Sequence, residues 1–404
     1  MHIPATLQAT ITLPSSKSIC NRALIIAALS GRQTQLENLS DCDDTRVLVR
    51  AMQSEDNVID IMAAGTAMRF SAAYFSTLPG TRILTGTARM RQRPIGVLVN
   101  ALRLLGAQVA YTEEEGFPPL RITGSSLKGG AISLPADVSS QYISALLMVG
   151  PTLREGLQLH LEGTILSRPY IDMTIALMRQ FGAVVEWVDD ATICVAPQPY
   201  RPLKEFRVES DWSAASYWYE LVALSPDPEA RIVLPYLFEN SLQGDSLIRE
   251  FFTPLGVHTA FTADGVVLTK RKVDAPEMLE LDLAEQPDLA QTLVVTCAIL
   301  RQPFHFTGLQ TLKIKETDRI AALRTELQKM GICIEAANDS ELFCKEFGAT
   351  VLPPNAFISI DTYDDHRMAM AFAPCALRYP LLRINHPEVV SKSYPSFWQH
   401  LESL

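Results

Sequence analysis

The segment Lys315-Glu316-Thr317-Asp318-Arg319 stands directly before an amphipathic run, Ile320–Met330, so the sequence predicts a helix whose opening turn carries two cations. A helix N-terminus already holds roughly half a positive charge, and a Lys or Arg there costs on the order of 0.3–1 kcal/mol. Asp, Glu, Ser or Thr is the usual occupant. The inversion recurs, with basic residues at or near expected helix starts at Lys17, Arg22, Arg93, Arg168, Arg319 and Arg367. Charges set repeatedly against local preference require a counter-charge, and a bound anion supplies one. The expected ligand is strongly acidic.

Other segments surround these cations with polar groups. Ser15-Ser16-Lys17-Ser18-Ile19-Cys20-Asn21-Arg22 precedes the apolar run Ala23–Leu29 and reads either as a phosphate cradle or as a Ser-capped helix. It lacks the glycine framework of a Walker loop. Ala64-Gly65-Thr66-Ala67-Met68-Arg69 offers a glycine that a ligand can approach closely, or a plain turn into a helix. In Arg93-Pro94-Ile95-Gly96 the proline suits a first helical position, which places Arg93 at the mouth of that helix. Ser139-Ser140-Gln141 and Ser167-Arg168-Pro169-Tyr170 supply neutral donors beside charge, or ordinary caps. Asp288 precedes the apolar helix Ala290–Leu300 and reads first as an N-cap. Asp364-Asp365-His366-Arg367 combines capping acids with His and Arg, and Lys392 stands just before the last helix-like run.

The chain of 404 residues is too long for one ordinary core and predicts two or three domains. Its net charge of −10 argues against nucleic acid as a partner, so the cations form a focused site in an acidic protein. No apolar run reaches the length of a membrane span, and the N-terminus, Met1–Pro14, alternates like a strand and lacks the features of a signal peptide. Seven scattered cysteines without a CxxC pair read as reduced thiols of a cytoplasmic protein. The histidines show no metal-binding spacing, so no metal site is expected.

A helix, a glycine and an apolar strand follow one another at Gly106, Gly182, Gly256 and Gly331, which are 76, 74 and 75 residues apart. Each glycine suits a left-handed helix terminus from which the chain turns into a strand. Extrapolating backward reaches Gly31. The spacing predicts about six α/β units grouped into two similar halves, with a boundary near Val208–Ser213 after the Pro-rich stretch Pro197–Pro202.

In order along the chain, Ser-Lys-Ser-Ile-Cys-Asn-Arg, Ala-Gly-Thr-Ala-Met-Arg, Arg-Pro-Ile-Gly, Ser-Ser-Gln-Tyr, Ser-Arg-Pro-Tyr-Ile-Asp, Lys-Glu-Thr-Asp-Arg and Asp-Asp-His-Arg-Met-Ala-Met resemble the motifs of the 5-enolpyruvylshikimate-3-phosphate (EPSP) synthase family. The resemblance runs from Pro14 to Tyr394. It implies an α/β (α+β) fold of two similar domains, each built of three βαβαββ-type repeats as an inverse α/β barrel, with the active site in the interdomain cleft. The implied domains are residues 15–210 and a discontinuous partner made of 1–14 and 211–404.

The implied activity is transfer of the enolpyruvyl group of phosphoenolpyruvate to the 5-hydroxyl of shikimate 3-phosphate, with loss of phosphate from a tetrahedral intermediate. Carried over by motif, Ser18, Arg22, Ser139, Ser140, Gln141, Ser167, Tyr170 and Lys315 would hold shikimate 3-phosphate. Lys17, Gly65, Arg93, Gln141, Arg319, His366, Arg367 and Lys392 would surround phosphoenolpyruvate. Asp288 would accept the proton of the 5-hydroxyl, and Lys17 and Glu316 would move the proton at the methylene carbon. Lys17 and Asp288 would also touch shikimate 3-phosphate. The resemblance implies no cofactor and no metal, small-molecule partners without nucleic acid or membrane, and a cytoplasmic monomer.

The chain departs from the family pattern at Ala63, where Asn is usual, at Cys20, where Ser is common, and at Thr311 and Lys313, where Asn and Arg are expected. It is also somewhat short. The sister enolpyruvyl transferase acting on UDP-N-acetylglucosamine is the nearest alternative, but its loop cysteine has no counterpart between Cys42 and Cys194. A non-catalytic anion- or RNA-binding repeat protein is the other, against which the acid–base candidates Asp288 and Glu316 and the net negative charge both argue. Gly65 leaves room in the expected pocket, which predicts sensitivity to glyphosate, a competitor of phosphoenolpyruvate in this family.

Overall fold

A computed structural model describes residue 4 and residues 6–404, apart from 138, 166 and 350. The chain divides into two compact units, one of Met1–Pro14 with Glu209–Leu404 and one of Ser15–Val208. Of the alternating N-terminal segment, Gln8–Thr10 forms the strand, and residues 1–3 and 5 lie outside the described residues.

The building block is visible in Val58–Asp60, the helix Gly65–Ser76, Gly80–Thr85, the helix Gly96–Leu104, and the hairpin Gln108–Tyr111 and Leu120–Gly124. The first two strands pair in parallel across their helix, as a crossover requires. The last strand then pairs antiparallel with the second and with its hairpin partner. This βαβαββ order recurs with Gly130–Pro135, Leu157–Glu162, Val185–Trp187 and Thr192–Val195. It recurs twice more in the other unit. There Gln8–Thr10 pairs in parallel with Arg231–Pro235, and Leu279–Asp282 with Phe304–Thr307. The third block of each unit is reduced to two parallel strands, Gln35–Glu37 with Glu205–Arg207 and Ile358–Ile360 with Leu382–Ile384. Two of these pairs join the ends of a unit. Glu205–Arg207 returns to the start of its unit, and Gln8–Thr10 enters the sheet of a unit whose remaining chain begins about 200 residues later.

The predicted glycines sit where the spacing put them. Gly106, Gly182, Gly256 and Gly331 all have positive φ, between 75° and 101°, and Gly31 joins them at 96°. A Cβ in that conformation is strained, so the helix-to-strand reversal is assigned to the residue without one.

Burial shows which layer is inside. Leu157–Glu162 alternates buried and exposed residue by residue, the signature of a sheet with one solvated face. The helix Gly65–Ser76 is buried at every position, and Ala290–Leu300 at every position but its last. A helix apolar all round belongs in the centre. Helices therefore form the middle of each unit and sheets its outside.

Candidate active site

In the unit of Glu209–Leu404, three helix starts converge. The helix Arg319–Lys329 begins at Arg319 with Asp318 as its cap, so Lys315 and Glu316 precede the helix instead of forming its first turn. The reason is the 3-10 turn Gln310–Ile314, after which Lys315 breaks away from helical geometry. Asp365 caps the helix His366–Phe372 by accepting from the Arg367 amide. Asp288 lies in the 3-10 turn Pro287–Leu289 ahead of the helix Ala290–Leu300, whose N-cap position is taken by Leu289. Asp288, expected as that N-cap, enters ion pairs instead.

The charges interlock. Arg319 donates through Nε to Asp365 Oδ2 at 2.7 Å, through NH1 to Asp288 Oδ1 at 3.3 Å and through NH2 to Glu316 Oε2 at 3.0 Å. Arg367 NH2 donates to Asp288 Oδ2 at 2.8 Å, and Lys392 Nζ to Glu316 Oε1 at 2.7 Å. Lys315 Nζ is 3.7 Å from Asp288 Oδ1. His366 is buried, with Nδ1 at 3.7 Å from Asp365 Oδ1. Burial pulls the Arg319 guanidinium down, yet Asp365, Glu316 and Asp288 outweigh it and hold the charge above the usual range. Burial lowers Lys315, with Asp288 opposing that shift.

In the unit of Ser15–Val208, Ser16 caps the helix Lys17–Leu29, and Lys17 Nζ lies 3.3 Å from Asp44 Oδ2. Arg22 is buried, and its guanidinium reaches Thr174 Oγ1 at 2.7 Å, the Ser18 carbonyl at 2.9 Å, Ser144 Oγ at 3.0 Å and the Tyr170 carbonyl at 3.3 Å. Burial lowers it to about 10, with Tyr170 opposing, which still leaves it charged at neutral pH. Ser167, before the helix Arg168–Gln180, holds a left-handed backbone and makes no capping bond. Ser139 caps the helix Ser140–Val149, and Gln141 Nε2 donates to Thr66 Oγ1 at 3.2 Å.

Arg69 donates to the carbonyls of Gly65, at 3.2 Å, and Pro94, at 3.0 Å, and the Tyr142 hydroxyl donates to the Pro94 carbonyl at 2.5 Å. These bonds set Arg93 against the Gly65 helix. A Cβ on Gly65 would fall 2.7 Å from Arg93 NH1. Pro94 itself is not helical, since the helix starts at Gly96.

Two expectations change. Lys17, Arg319, Arg367 and Lys392 are answered by the protein's own carboxylates, because folding brings Asp44, Asp288, Glu316 and Asp365 to them. Arg168 is a surface residue with an i,i+4 partner, Asp172 at 3.9 Å, and a stack on Trp187 at 4.3 Å. Lys313 pairs with Asp339 at 2.8 Å, and Ala63 is exposed ahead of the Gly65–Ser76 helix. Sequence reasoning missed Asp44, Tyr217 and Asp245. Tyr217 OH lies 3.5 Å from Arg367 NH1, and Asp245 accepts from the Ser213 hydroxyl. None of the three carries a motif. The signal at Asp365 was present but spoke only for capping.

The order of these groups along the chain is matched by a family model described as EPSP synthase (3-phosphoshikimate 1-carboxyvinyltransferase), over residues 1–54 and 48–401. The chain belongs to the EPSP synthase family. A relative from Bacteroides fragilis (strain YCH46), named 3-phosphoshikimate 1-carboxyvinyltransferase, is 57% identical over 401 residues, covering 99% of this chain and 96% of the relative. One of the same name from Sulfurovum sp. (strain NBC37-1) is 35% identical over 427 residues, covering 98% and 97%. The EPSP synthase fold is shared with a solved structure from Acinetobacter baumannii at a TM-score of 0.75 and 21% identity, over 99% of this chain and 97% of that one.

Proposed function

We propose that this member of the EPSP synthase family transfers the enolpyruvyl group of phosphoenolpyruvate to the 5-hydroxyl of shikimate 3-phosphate. The observation that carries the reading is a full-length relative, 57% identical and named for that reaction.

Both substrates are anions, and the chemistry asks for cations that hold them and for acid–base groups at two atoms. Asp288 accepts the proton of the attacking hydroxyl. Lys315, Arg319 and Arg367 hold its two oxygens, which supports the assignment by orienting the carboxylate. Protonation of the methylene carbon makes the adjacent carbon electrophilic, and the hydroxyl adds there to give the tetrahedral ketal. A proton then leaves the new methyl group, the C–O bond to phosphate breaks, and the enol ether and inorganic phosphate separate. Glu316 and Lys17 are assigned the proton at the methylene carbon. Lys392, 2.7 Å from Glu316, favours its ionised carboxylate, the form that takes the proton back from the new methyl group.

Arg319 and Arg367 are assigned to the phosphoenolpyruvate carboxylate, and Lys17, Arg93 and Lys392 to its phosphate, with Gly65, Gln141 and His366 assigned to the same substrate. Ser18, Arg22, Ser139, Ser140, Gln141, Ser167, Tyr170 and Lys315 are assigned to shikimate 3-phosphate. For Arg22 the role is indirect, since its bonds bind Ser18 and Tyr170 backbones together. Carboxylates now paired with these cations exchange partners when substrate arrives.

The reading includes a cytoplasmic monomer without nucleic-acid or membrane partners. The net charge of −10 supports the part of it that concerns nucleic acid. Among the described residues no helix is long and apolar enough to cross a membrane.

Phosphate release from phosphoenolpyruvate, with and without shikimate 3-phosphate, tests the reading in the wild type and Lys17→Met. Release that needs both substrates and is lost in the variant is the expected result. Release driven by UDP-N-acetylglucosamine instead would overturn it.

A further inference from the structure

Asp245 is a buried carboxylic acid that the mechanism above does not use. It sits in the 3-10 turn Gly244–Leu247, and the residue before that turn fastens it to the start of the helix Trp212–Leu224. Gln243 accepts from the Trp212 amide at 3.0 Å and donates to Glu209 Oε1 at 2.9 Å and to the Ser210 carbonyl at 2.8 Å. Asp245 Oδ2 accepts from the Ser213 hydroxyl, while Oδ1 is buried without a hydrogen-bond partner. A carboxylate oxygen left dry is expensive, and a side chain that only capped a helix would not need it.

Its surroundings say what it meets. Asp288, in the turn Pro287–Leu289, and Asp211, ahead of the helix Trp212–Leu224, repel its charge, and Arg367, on His366–Phe372, attracts it. On its own following turn, Arg249 and Glu250 pair with each other at 3.7 Å. Lys315 and Arg319 reach Asp288 Oδ1, and Arg367 reaches its Oδ2.

The helix Trp212–Leu224 ties the two acids together. Its Ser213 donates to Asp245, its Ser216 hydroxyl lies 3.0 Å from Thr292 Oγ1 in the helix that follows Asp288, and its Tyr217 hydroxyl lies 3.5 Å from NH1 of Arg367, which holds Asp288. Three cations stabilise the Asp288 carboxylate and so weaken it as a proton acceptor. A negative charge at Asp245 works the other way and also competes for Arg367. We propose that Asp245, anchored by Ser213 beside Asp288, is a positioning residue that keeps Asp288 a competent proton acceptor against the cations holding it. The inference rests on the reading of Asp288 as the acceptor of the hydroxyl proton. Burial first, and then Asp288, push the Asp245 carboxyl up to about 7, so its charge turns on within the working range of pH.

The test follows phosphate release from phosphoenolpyruvate and shikimate 3-phosphate between about pH 5 and 9. In the wild type, kcat should rise with pH through the titration of Asp245. Asp245→Asn should remove that limb and lower kcat about tenfold at pH 8, with both KM values within about threefold. Ser213→Ala, which keeps the acid but takes away its donor, should move the limb to higher pH. A wild-type limb and a kcat within about twofold in Asp245→Asn would overturn the proposal.

A double-mutant cycle of Asp245→Asn with Asp288→Asn, read from urea unfolding at pH 8, tests the coupling without turnover. Non-additive stabilities are expected, and additive ones would overturn the inference. A wild type that forms no product while the cycle stays non-additive would sink the transferase reading and leave the charge coupling standing.

Discussion

Arg319 Nε lies 2.7 Å from Asp365 Oδ2, and both side chains are all but closed to solvent, at 1% and 0% exposure. A buried pair of this kind gains little net stability, but its geometry is rigid. Asp365 holds one edge of the guanidinium and caps the helix that carries Arg367, so a single carboxylate aligns both cations assigned to the substrate carboxylate.

Asp365→Asn should therefore cost stability and affinity together. Breaking a buried pair costs about 3–5 kcal/mol, and the low end is expected because Asp288 and Glu316 still face Arg319. Urea unfolding reads the first effect, and the KM for phosphoenolpyruvate, expected to rise more than about tenfold, reads the second. An unchanged KM in a folded variant would remove Arg319 from the substrate carboxylate.

Gly65→Ala should act on Arg93. The added methyl would fall 2.7 Å from NH1 and 3.2 Å from the central carbon, closer than atoms rest, so the guanidinium must turn away. The KM for phosphoenolpyruvate should rise and the glyphosate concentration for half-inhibition should increase about tenfold or more. An inhibition curve that superimposes on the wild type would show that Arg93 and Gly65 do not share the pocket.

Arg22→Lys should be far from conservative. One ammonium cannot span Thr174, Ser144 and the carbonyls of Ser18 and Tyr170, which lie on three helices. Buried acceptors left without donors should cost on the order of 3 kcal/mol in urea unfolding. If stability holds and only the KM for shikimate 3-phosphate changes, Arg22 meets the substrate directly.

Glu220, in the middle of the helix Trp212–Leu224, has no hydrogen bond to either carboxyl oxygen, and the nearby Thr296 hydroxyl is spent on the Thr292 carbonyl. Burial raises its carboxyl well above the ordinary 4.5, so the folded protein keeps the proton. The unfolded chain releases that proton as pH rises above about 4.5, and folding stability falls with it until the folded-state value is passed. Glu220→Met removes the dependence. Its stability gain should be small at pH 4 and widen steadily toward pH 9, with kcat unchanged. A constant difference across that range would mean that Glu220 is ionised in the fold.

Much of this protein was legible in one dimension. The helix–glycine–strand junctions recur at nearly equal spacing because each needs a left-handed residue between two elements. Alternation in Leu157–Glu162 and the mostly apolar run in Ala290–Leu300 mark an outer strand and a central helix by the same local logic. Cations at helix starts and the ordered motifs around them named the kind of ligand and the family. Helix boundaries were less secure. Arg93-Pro94 and Lys315-Glu316 look like helix openings, yet each precedes its helix, because a turn intervenes that no residue pattern announces.

What the sequence by itself determined was the inventory: helices, strands, reversals and the surplus of charge at helix ends. Only the tertiary structure decided which acid answers which base. Arg319 meets Asp365 across 46 residues, Lys392 meets Glu316 across 76, and Arg22 meets Thr174 across 152. Local periodicity extends over a few turns and carries no information at those separations. Asp245 shows the limit most clearly. Alone in its loop it is an ordinary surface-type acid, and only packing against the helix Trp212–Leu224 buries it and ties it to Ser213.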